Sequence, residues 1–368
     1  MKLTDEQDAF VAAVRDFASK ERFDGSDPHQ HEVAARMAEL GWYGLTIDEQ
    51  YGGSGGSFLD AALFLEEISR GQVPIGAYGV TLICVGALNR FGTERQKREL
   101  LGRVAKGGTL AIAMSEPEAG SDVAALKTRA RLEDGEWVLD GSKMWCSFAH
   151  KASHVLIVCR TAEGSERHEG MSMVFVPNDA EGLTITPIQT LGGEETNELH
   201  LDGVRVAEDA LLGTEGNGWI QLMAGLNNER VILAALALGL GQRAFDDALD
   251  YSKQRRQFGR PVGSFQAIQH RFADLATDLI QARLLVRWVA RLTDEEPGRM
   301  LPREASMAKL AATELAKRCA LDGLQIMGGY GYATEYPMER HLRSAVVTTI
   351  YGGTSEIQRN IIAKTLGL

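Results

Sequence analysis

At 368 residues the chain is long enough for two or three domains and a large core. Its net charge of −11, from 39 basic and 50 acidic residues, argues against nucleic acid or an anionic membrane as partner and leaves room only for a local basic site. No apolar run is long enough to span a membrane, and the N-terminal residues lack a signal-peptide pattern. Four cysteines without C-x-x-C spacing read as reduced thiols, so a cytoplasmic protein without a metal site is expected.

Thr4 and Gln7 form a capping-box pattern, and Phe10, Val11, Val14 and Phe17 follow at helical spacing. A second helical stretch covers 31–40 and stops at Gly41-Trp42. The loop Tyr51–Gly56 is rich in glycine, yet no Lys-Ser/Thr follows it, so it reads as a flexible loop and not a phosphate cradle. Segments 58–70 and 76–106 read as helical, which makes 1–110 an all-helical domain. From 111 to about 216 short alternating runs appear at 136–140, 154–160, 171–176, 183–188 and 198–206, separated by Gly, Asn and Asp. They predict a compact antiparallel β domain, with hairpin turns at Asp134-Gly135 and Asp140-Gly141. Residues 217–368 return to helical periodicity, with a bundle predicted near 219–252, 266–292, 303–328 and 354–366. Within it Gly239–Ala244 matches G-x-G-x-x-A, but no acidic residue follows at the ribose-binding distance; close helix packing is the better reading.

Ala113-Met-Ser-Glu-Pro-Glu-Ala-Gly-Ser-Asp122 is the stretch around which the rest is organised. An apolar lead runs into a polar turn with two hydroxyls, Ser115 and Ser121, which can hold a polar ring edge or a phosphate. Alone, it is equally an ordinary turn. Lys143-Met-Trp-Cys-Ser147 follows, and an indole beside a hydroxyl suits a flat redox-active ring. Together with Gln325-Ile-Met-Gly-Gly-Tyr-Gly331 and Tyr351-Gly-Gly-Thr-Ser-Glu-Ile-Gln358, these segments resemble the acyl-CoA dehydrogenase family, in its order and spacing. The resemblance covers nearly the whole chain.

The resemblance implies a mainly α fold, with an N-terminal helical domain, a middle antiparallel β domain and a C-terminal four-helix bundle, and FAD between the last two. It places Met114, Ser115, Gly120 and Ser121 at the flavin pyrimidine and diphosphate. Trp145 would stack near the isoalloxazine, although by itself it reads as a core aromatic, and Ser147 would bond near flavin N5. Arg255, Phe258 and Gln266 would reach a neighbouring subunit's FAD, as would Gln325, Gly328 and Gly329. Thr354 and Glu356 would contact FAD in their own subunit. A dimer or tetramer follows from those crossed contacts. The implied reaction is α,β-dehydrogenation of an acyl-CoA to the 2-enoyl-CoA, with electrons passed to an electron-transfer flavoprotein.

The chain departs from the family in one chemical respect. Many members carry the catalytic base as Glu in Tyr-Glu-Gly-Thr, and here Gly352 takes that place. Members resembling isovaleryl-CoA and long-chain dehydrogenases instead place a Glu before an Arg on a bundle helix. Leu226-Asn-Asn-Glu-Arg-Val231 has that form, so Glu229 is the expected base, with Asn227, Arg230 and Ser121 toward CoA. The backbone N–H of Gly352, beside Gly353, would polarise the thioester carbonyl. Phe148 and Ser344 replace the usual Asn and Asp. Two alternatives remain open: another flavin reaction on this fold, of nitroalkane oxidase or monooxygenase type, or a non-catalytic subunit of a mixed oligomer, which Gly352 favours and Glu229 opposes.

Overall fold

The computed structural model describes residues 2–21, 30–162 and 167–368. These form helical N- and C-terminal parts flanking a β domain in sequence, and they divide into two compact units that do not follow chain order.

The first unit comprises 1–28, 57–74 and 229–368. It contains α1 (Asp5–Lys20) and, after α2 (Gln30–Glu39) of the other unit, α3 (Phe58–Arg70). The Thr4/Gln7 capping box is formed, with Gln7 N donating to Thr4 Oγ1 at 3.1 Å. Val11 and Val14 are buried, α1 packs on α3, and Arg15 pairs with Glu67. Asp294 accepts from the N–H groups of Phe58 and Leu59 at 2.7 and 2.9 Å, satisfying the orphan donors that open α3.

The second unit comprises 29–56 and 75–228. Its helical part has α4 (Gly76–Phe91), then the short turns α5 (Glu94–Gln96) and α6 (Gly102–Ala105) with a π-helical stretch, Lys97–Leu101, between them. The stretch 76–106, expected to be helical, is so in several pieces. Gly92 ends α4, and the Thr93/Gln96 capping box starts a new helix. The glycine-rich loop is tied down, unlike the flexible loop expected. Ser54, Gly55 and Gly56 donate to the carbonyls of Gly44, Ile47 and Leu45, and a Cβ on Gly53 would collide with the Ile47 carbonyl.

The sheet of this unit has β1 (Leu110–Ala113), β2 (Arg129–Glu133), β3 (Glu136–Ser147), β4 (His154–Arg160), β5 (Met171–Pro177), β6 (Leu183–Thr190) and β7 (Gly193–Ala207). The strand order is β1-β4-β2-β3-β7-β6, with β5 also on β4. Most pairs are antiparallel, but β1 runs parallel to β4, from Leu110 opposite His154 to Ala113 opposite Ile157, and β2 touches β4 in parallel. The purely antiparallel expectation is corrected here, because the whole β2–β3 hairpin lies between these strands in sequence and returns the chain in the same direction. Asp134 and Gly135, at φ 53° and 81°, make the two-residue turn expected. Asp140-Gly141 does not turn. It is a bulge inside β3, where a Cβ on Gly141 would strike Thr128.

The helix α7 (Gly218–Gln254) starts in the second unit and supplies residues 229–254 to the first. There it joins α8 (Gln266–Glu295) and α9 (Pro302–Met327), after the two-residue strands β8 (Arg256–Gln257) and β9 (Arg260–Pro261). The chain closes with α10 (Gly329–Tyr332), α11 (Met338–Thr348) and α12 (Ser355–Thr365). Helix α9 packs on α8, α11 and α12, and α3 packs on α8. A Cβ on Gly239 would meet the Glu66 carbonyl and one on Gly241 would meet Ala316, so the G-x-G-x-x-A segment is a close helix contact. The helix α11 was not expected. Its buried face carries Met338, His341, Ala345 and Thr348, too polar to read as apolar periodicity.

Candidate active site

In the second unit, the polar turn after β1 is fixed by one buried ion pair. Lys143, fully buried on β3, donates Nζ to the Met114 carbonyl at 3.0 Å and to Glu116 Oε1 at 2.8 Å. Glu116 also accepts from the N–H groups of Lys127 and Thr128, at 2.6 and 2.9 Å. Met144 N–H donates to the Ser115 carbonyl, and Cys146 Sγ donates to the Ile112 carbonyl. The first motif and the second are thus one hydrogen-bonded structure. Met114 and Ser115 are half-buried on it, while Gly120 and Ser121 are exposed. Neither Lys143 nor Glu116 was assigned a role from sequence, although Lys143 opens the Lys-x-Trp-x-Ser motif.

Two residues beyond Lys143 the ladder between β3 and β7 slips, and Trp145 sits at φ +63° with its side chain 57% exposed. A left-handed backbone at a bulky residue costs free energy, and exposing an indole forfeits burial. The core-aromatic reading therefore fails, and the bulge aims a ring outward. Ser147 is half-buried two residues on. Phe148 stands at φ +59°, and its ring lies over the α carbon of Gly76, leaving no room there for a Cβ.

In the first unit, Glu229 on α7 is 4% exposed, and its Oε2 has no hydrogen-bond partner among the described residues. Burial pushes its carboxyl up from the usual range to about 7, against the opposing pull of Arg230 and Lys309. The Gly352-Gly353 turn lies beside it, at φ 59° and 83°. A Cβ built on Gly352 would stand 3.5 Å from Glu229 Oε1 and inside the Cδ1 of Leu233, one turn along α7. So the carboxylate of Glu229 occupies the neighbourhood of position 352, and Leu233 fills the space a side chain there would need. Gln358 Nε2 donates to the carbonyls of Gly352 and Gly353 at 3.1 and 2.9 Å, and Lys309 Nζ donates to that of Gly353 at 3.0 Å. Thr354 caps α12 by accepting from Ile357 N–H. Glu356 is exposed on the first turn, where its own backbone N–H and the Thr354 hydroxyl hold its carboxyl low. Arg230 is buried, which lowers its guanidinium pKa, and Asn227 is buried two residues before Glu229. Leu233 and Lys309 carry no sequence signal of their own, since each acts only through a turn distant in the chain, whereas Gln358 closes the motif that contains the turn.

The other candidates of this unit lie at one end of the bundle. Arg255 stacks on Tyr330, its guanidinium carbon 5.1 Å from the ring centroid, and Tyr330 lies against Tyr251 and Tyr336. Phe258 is 93% exposed at φ +51°, on the β8–β9 turn. Gln266, Gln325, Gly328 and Gly329 are also exposed, and Cβ atoms on the two glycines would meet nothing. Ser344 is exposed, and Arg343 pairs with Glu339; nothing in the structure explains the loss of the usual Asp at 344.

Models of the N-terminal, middle and C-terminal domains of acyl-CoA dehydrogenase match residues 4–108, 111–204 and 216–367. A probable acyl-CoA dehydrogenase of Bacillus subtilis is 39% identical over 377 residues, covering 99% of both chains. Mitochondrial isovaleryl-CoA dehydrogenase of Arabidopsis thaliana is 38% identical over 376 residues, covering 98% of this chain and 91% of that one. The structure of butyryl-CoA dehydrogenase from Megasphaera elsdenii superposes with a TM-score of 0.93 at 32% identity, over 100% of each chain. The chain belongs to the acyl-CoA dehydrogenase family. It is an oxidoreductase, and its cofactor is FAD. The residues present fit a flavin: an outward indole held at a bulge, hydroxyls in a fixed turn and exposed, unhindered glycine backbone are what a flat, phosphorylated heterocycle requires.

Proposed function

We propose that the protein dehydrogenates an acyl-CoA thioester to the 2-enoyl-CoA with Glu229 as the base. The observation that carries this reading is the buried carboxylate of Glu229 beside a glycine turn that has no carboxylate of its own. A carboxyl held near pH 7 combines a useful deprotonated fraction with enough basicity to take a proton. Its unpartnered Oε2 would accept the α proton. Bound FAD supplies the two-electron acceptor for the hydride that leaves the β carbon. The Gly352 N–H would bind the thioester oxygen as negative charge develops there, and Gly353 would line the same turn. Ser121, Asn227 and Arg230 would hold the CoA portion.

Met114, Ser115, Gly120, Ser121, Trp145 and Ser147 would hold FAD, with Thr354 and Glu356. Arg255, Phe258, Gln266, Gln325, Gly328 and Gly329 would hold the FAD of a neighbouring copy, which makes the protein a homo-oligomer, dimer or tetramer. Domain limits near 110 and 216, a cytoplasmic site of action and an electron-transfer flavoprotein as acceptor complete the proposal. The acceptor is in keeping with a structure described as an electron transferring flavoprotein of Acidaminococcus fermentans, which superposes at TM-score 0.93 and 33% identity over 100% of this chain and 99% of that one. Anaerobic mixing of the purified yellow protein with a panel of acyl-CoAs tests it. At least one should bleach the flavin and leave its 2-enoyl-CoA; no bleaching by any member would refute the reading.

A further inference from the structure

A buried lysine in the first unit has no part in the chemistry described so far. Lys309 on α9 is fully buried, a rare placement for an ammonium, and is flanked by the small residues Ala305, Ala308 and Ala312. A lysine that only fills space is costly there, because burial penalises its charge. Its Nζ donates to the Gly353 carbonyl at 3.0 Å, in the turn that lies against Glu229. The charged groups acting on Lys309 are Glu229 and Arg230 of α7, Glu314 of its own helix and Glu356 of α12. Those acting on Glu229 are Arg230, its chain neighbour, and Lys309. Lys309 is thus the cation that a second element brings to the carboxylate.

We propose that Lys309 is a positioning residue for this reaction: its ammonium anchors the Gly352-Gly353 turn through the Gly353 carbonyl and favours the ionised, proton-accepting form of Glu229. The inference rests on Glu229 as the base. Two opposing influences act on that carboxyl. Burial drives it toward the neutral acid, which cannot accept a proton, and a fixed positive charge opposes that drift. Arg230 supplies part of this charge. It is two positions from the second unit's Asn228 in sequence and is proposed to engage CoA, whereas Lys309 is tied to the turn itself. The same contact orders the backbone that presents the Gly352 N–H, so one side chain would serve both the base and the oxygen-binding turn. Burial in turn lowers the ammonium of Lys309 to about 8, so it remains mostly charged at neutral pH.

The test is a titration of the Glu229 carboxyl in the substrate-free holoprotein, by infrared difference against Glu229→Gln. In Lys309→Met the midpoint should rise by about one unit or more, the shift typical of losing a neighbouring opposite charge. Lys309→Arg, which keeps the charge, should stay near the wild-type midpoint. If Lys309→Met does not yield folded flavoprotein, Lys309→Gln removes the charge with a polar side chain and carries the same expectation. An unchanged midpoint in the folded neutral variant would overturn the inference. The acidic limb of flavin reduction by an acyl-CoA should move with the carboxyl midpoint, while the rate at high pH changes little. A lower rate at every pH with an unmoved limb would mark Lys309 as merely structural. The two readings can fail separately: active Glu229→Gln enzyme refutes the base, whereas the carboxyl titration still decides what Lys309 does.

Discussion

Two buried glutamates, one in each unit, are treated in opposite ways. Glu116 beside β1 accepts from Lys143 Nζ and from two backbone N–H groups. Burial alone would raise its carboxyl, but Lys143 and these donors outweigh burial and hold it below the usual range. Glu229 is as deeply buried, yet its Oε2 has no partner among the described residues, and its carboxyl rises to about 7. Burial acts to raise both carboxyls, so burial alone does not decide the charge state. What decides it is whether a paired cation and hydrogen-bond donors offset burial, and a carboxylate left short of them keeps the capacity to bind a proton. Glu116 fastens the turn after β1; on the proposed reading Glu229 is the reagent.

The largest expected break in this contrast is kinetic. Glu229→Gln preserves volume and removes the proton acceptor, so flavin reduction by a good acyl-CoA should slow ~10²–10⁴-fold, as for loss of a general base, with FAD still bound. Stopped-flow absorbance of the reconstituted variant measures it. Next comes Lys143→Met, which leaves Glu116 charged, buried and short of one donor. Breaking a buried pair on one side costs about 3–5 kcal/mol, so the folded flavoprotein should unfold at much lower denaturant and lose FAD. The matching change at Glu229 has the opposite sign. A carboxyl raised in the fold stabilises it at low pH, and that stability is lost as pH rises through the folded value. From 4.5 to about 7 the shift corresponds to roughly 3 kcal/mol, so Glu229→Gln should be more stable than wild type above pH 7, with the gain gone below about 4.5. Denaturant titrations at the two extremes of pH check both size and sign.

How much of this was legible in the sequence depends on the range of each interaction. The Thr4/Gln7 capping box, the Asp134-Gly135 turn and the long bundle helices are written in residues close together, and they were read correctly, whereas the Thr93/Gln96 box, equally local, was passed over. The parallel pairing of β1 with β4 was not, because nothing local records which strand a short apolar run will meet. Glu229 was singled out as the candidate base only because of the glycine at 352, a departure from a family motif. That Leu233 fills the space of a side chain at 352 needs the fold, since the two residues are far apart in the chain. Lys143 was visible as a motif letter but not as the partner of Glu116.

A smaller effect sharpens the role of Leu233. Gly352→Glu in the Glu229→Gln background should not restore reduction, because position 352 has a left-handed backbone and a Cβ there would run into Leu233. Gly352→Ala alone should cost about 1–3 kcal/mol for the strained backbone, before the clash, in a thermal or chemical unfolding curve. Smallest is an optical effect. Trp145 fluorescence, isolated by replacing the other tryptophans, should be quenched in the holoprotein and recover when FAD is stripped. An unchanged signal would move the indole away from the flavin.

The pH dependence of anaerobic flavin reduction in the wild-type protein tests the central claim most directly. A donor-starved carboxylate as base predicts a rate that falls tenfold per pH unit below a midpoint near 7 and levels off above it. A limb in the ordinary carboxylate range near 4.5, or no acidic limb at all, would contradict the account.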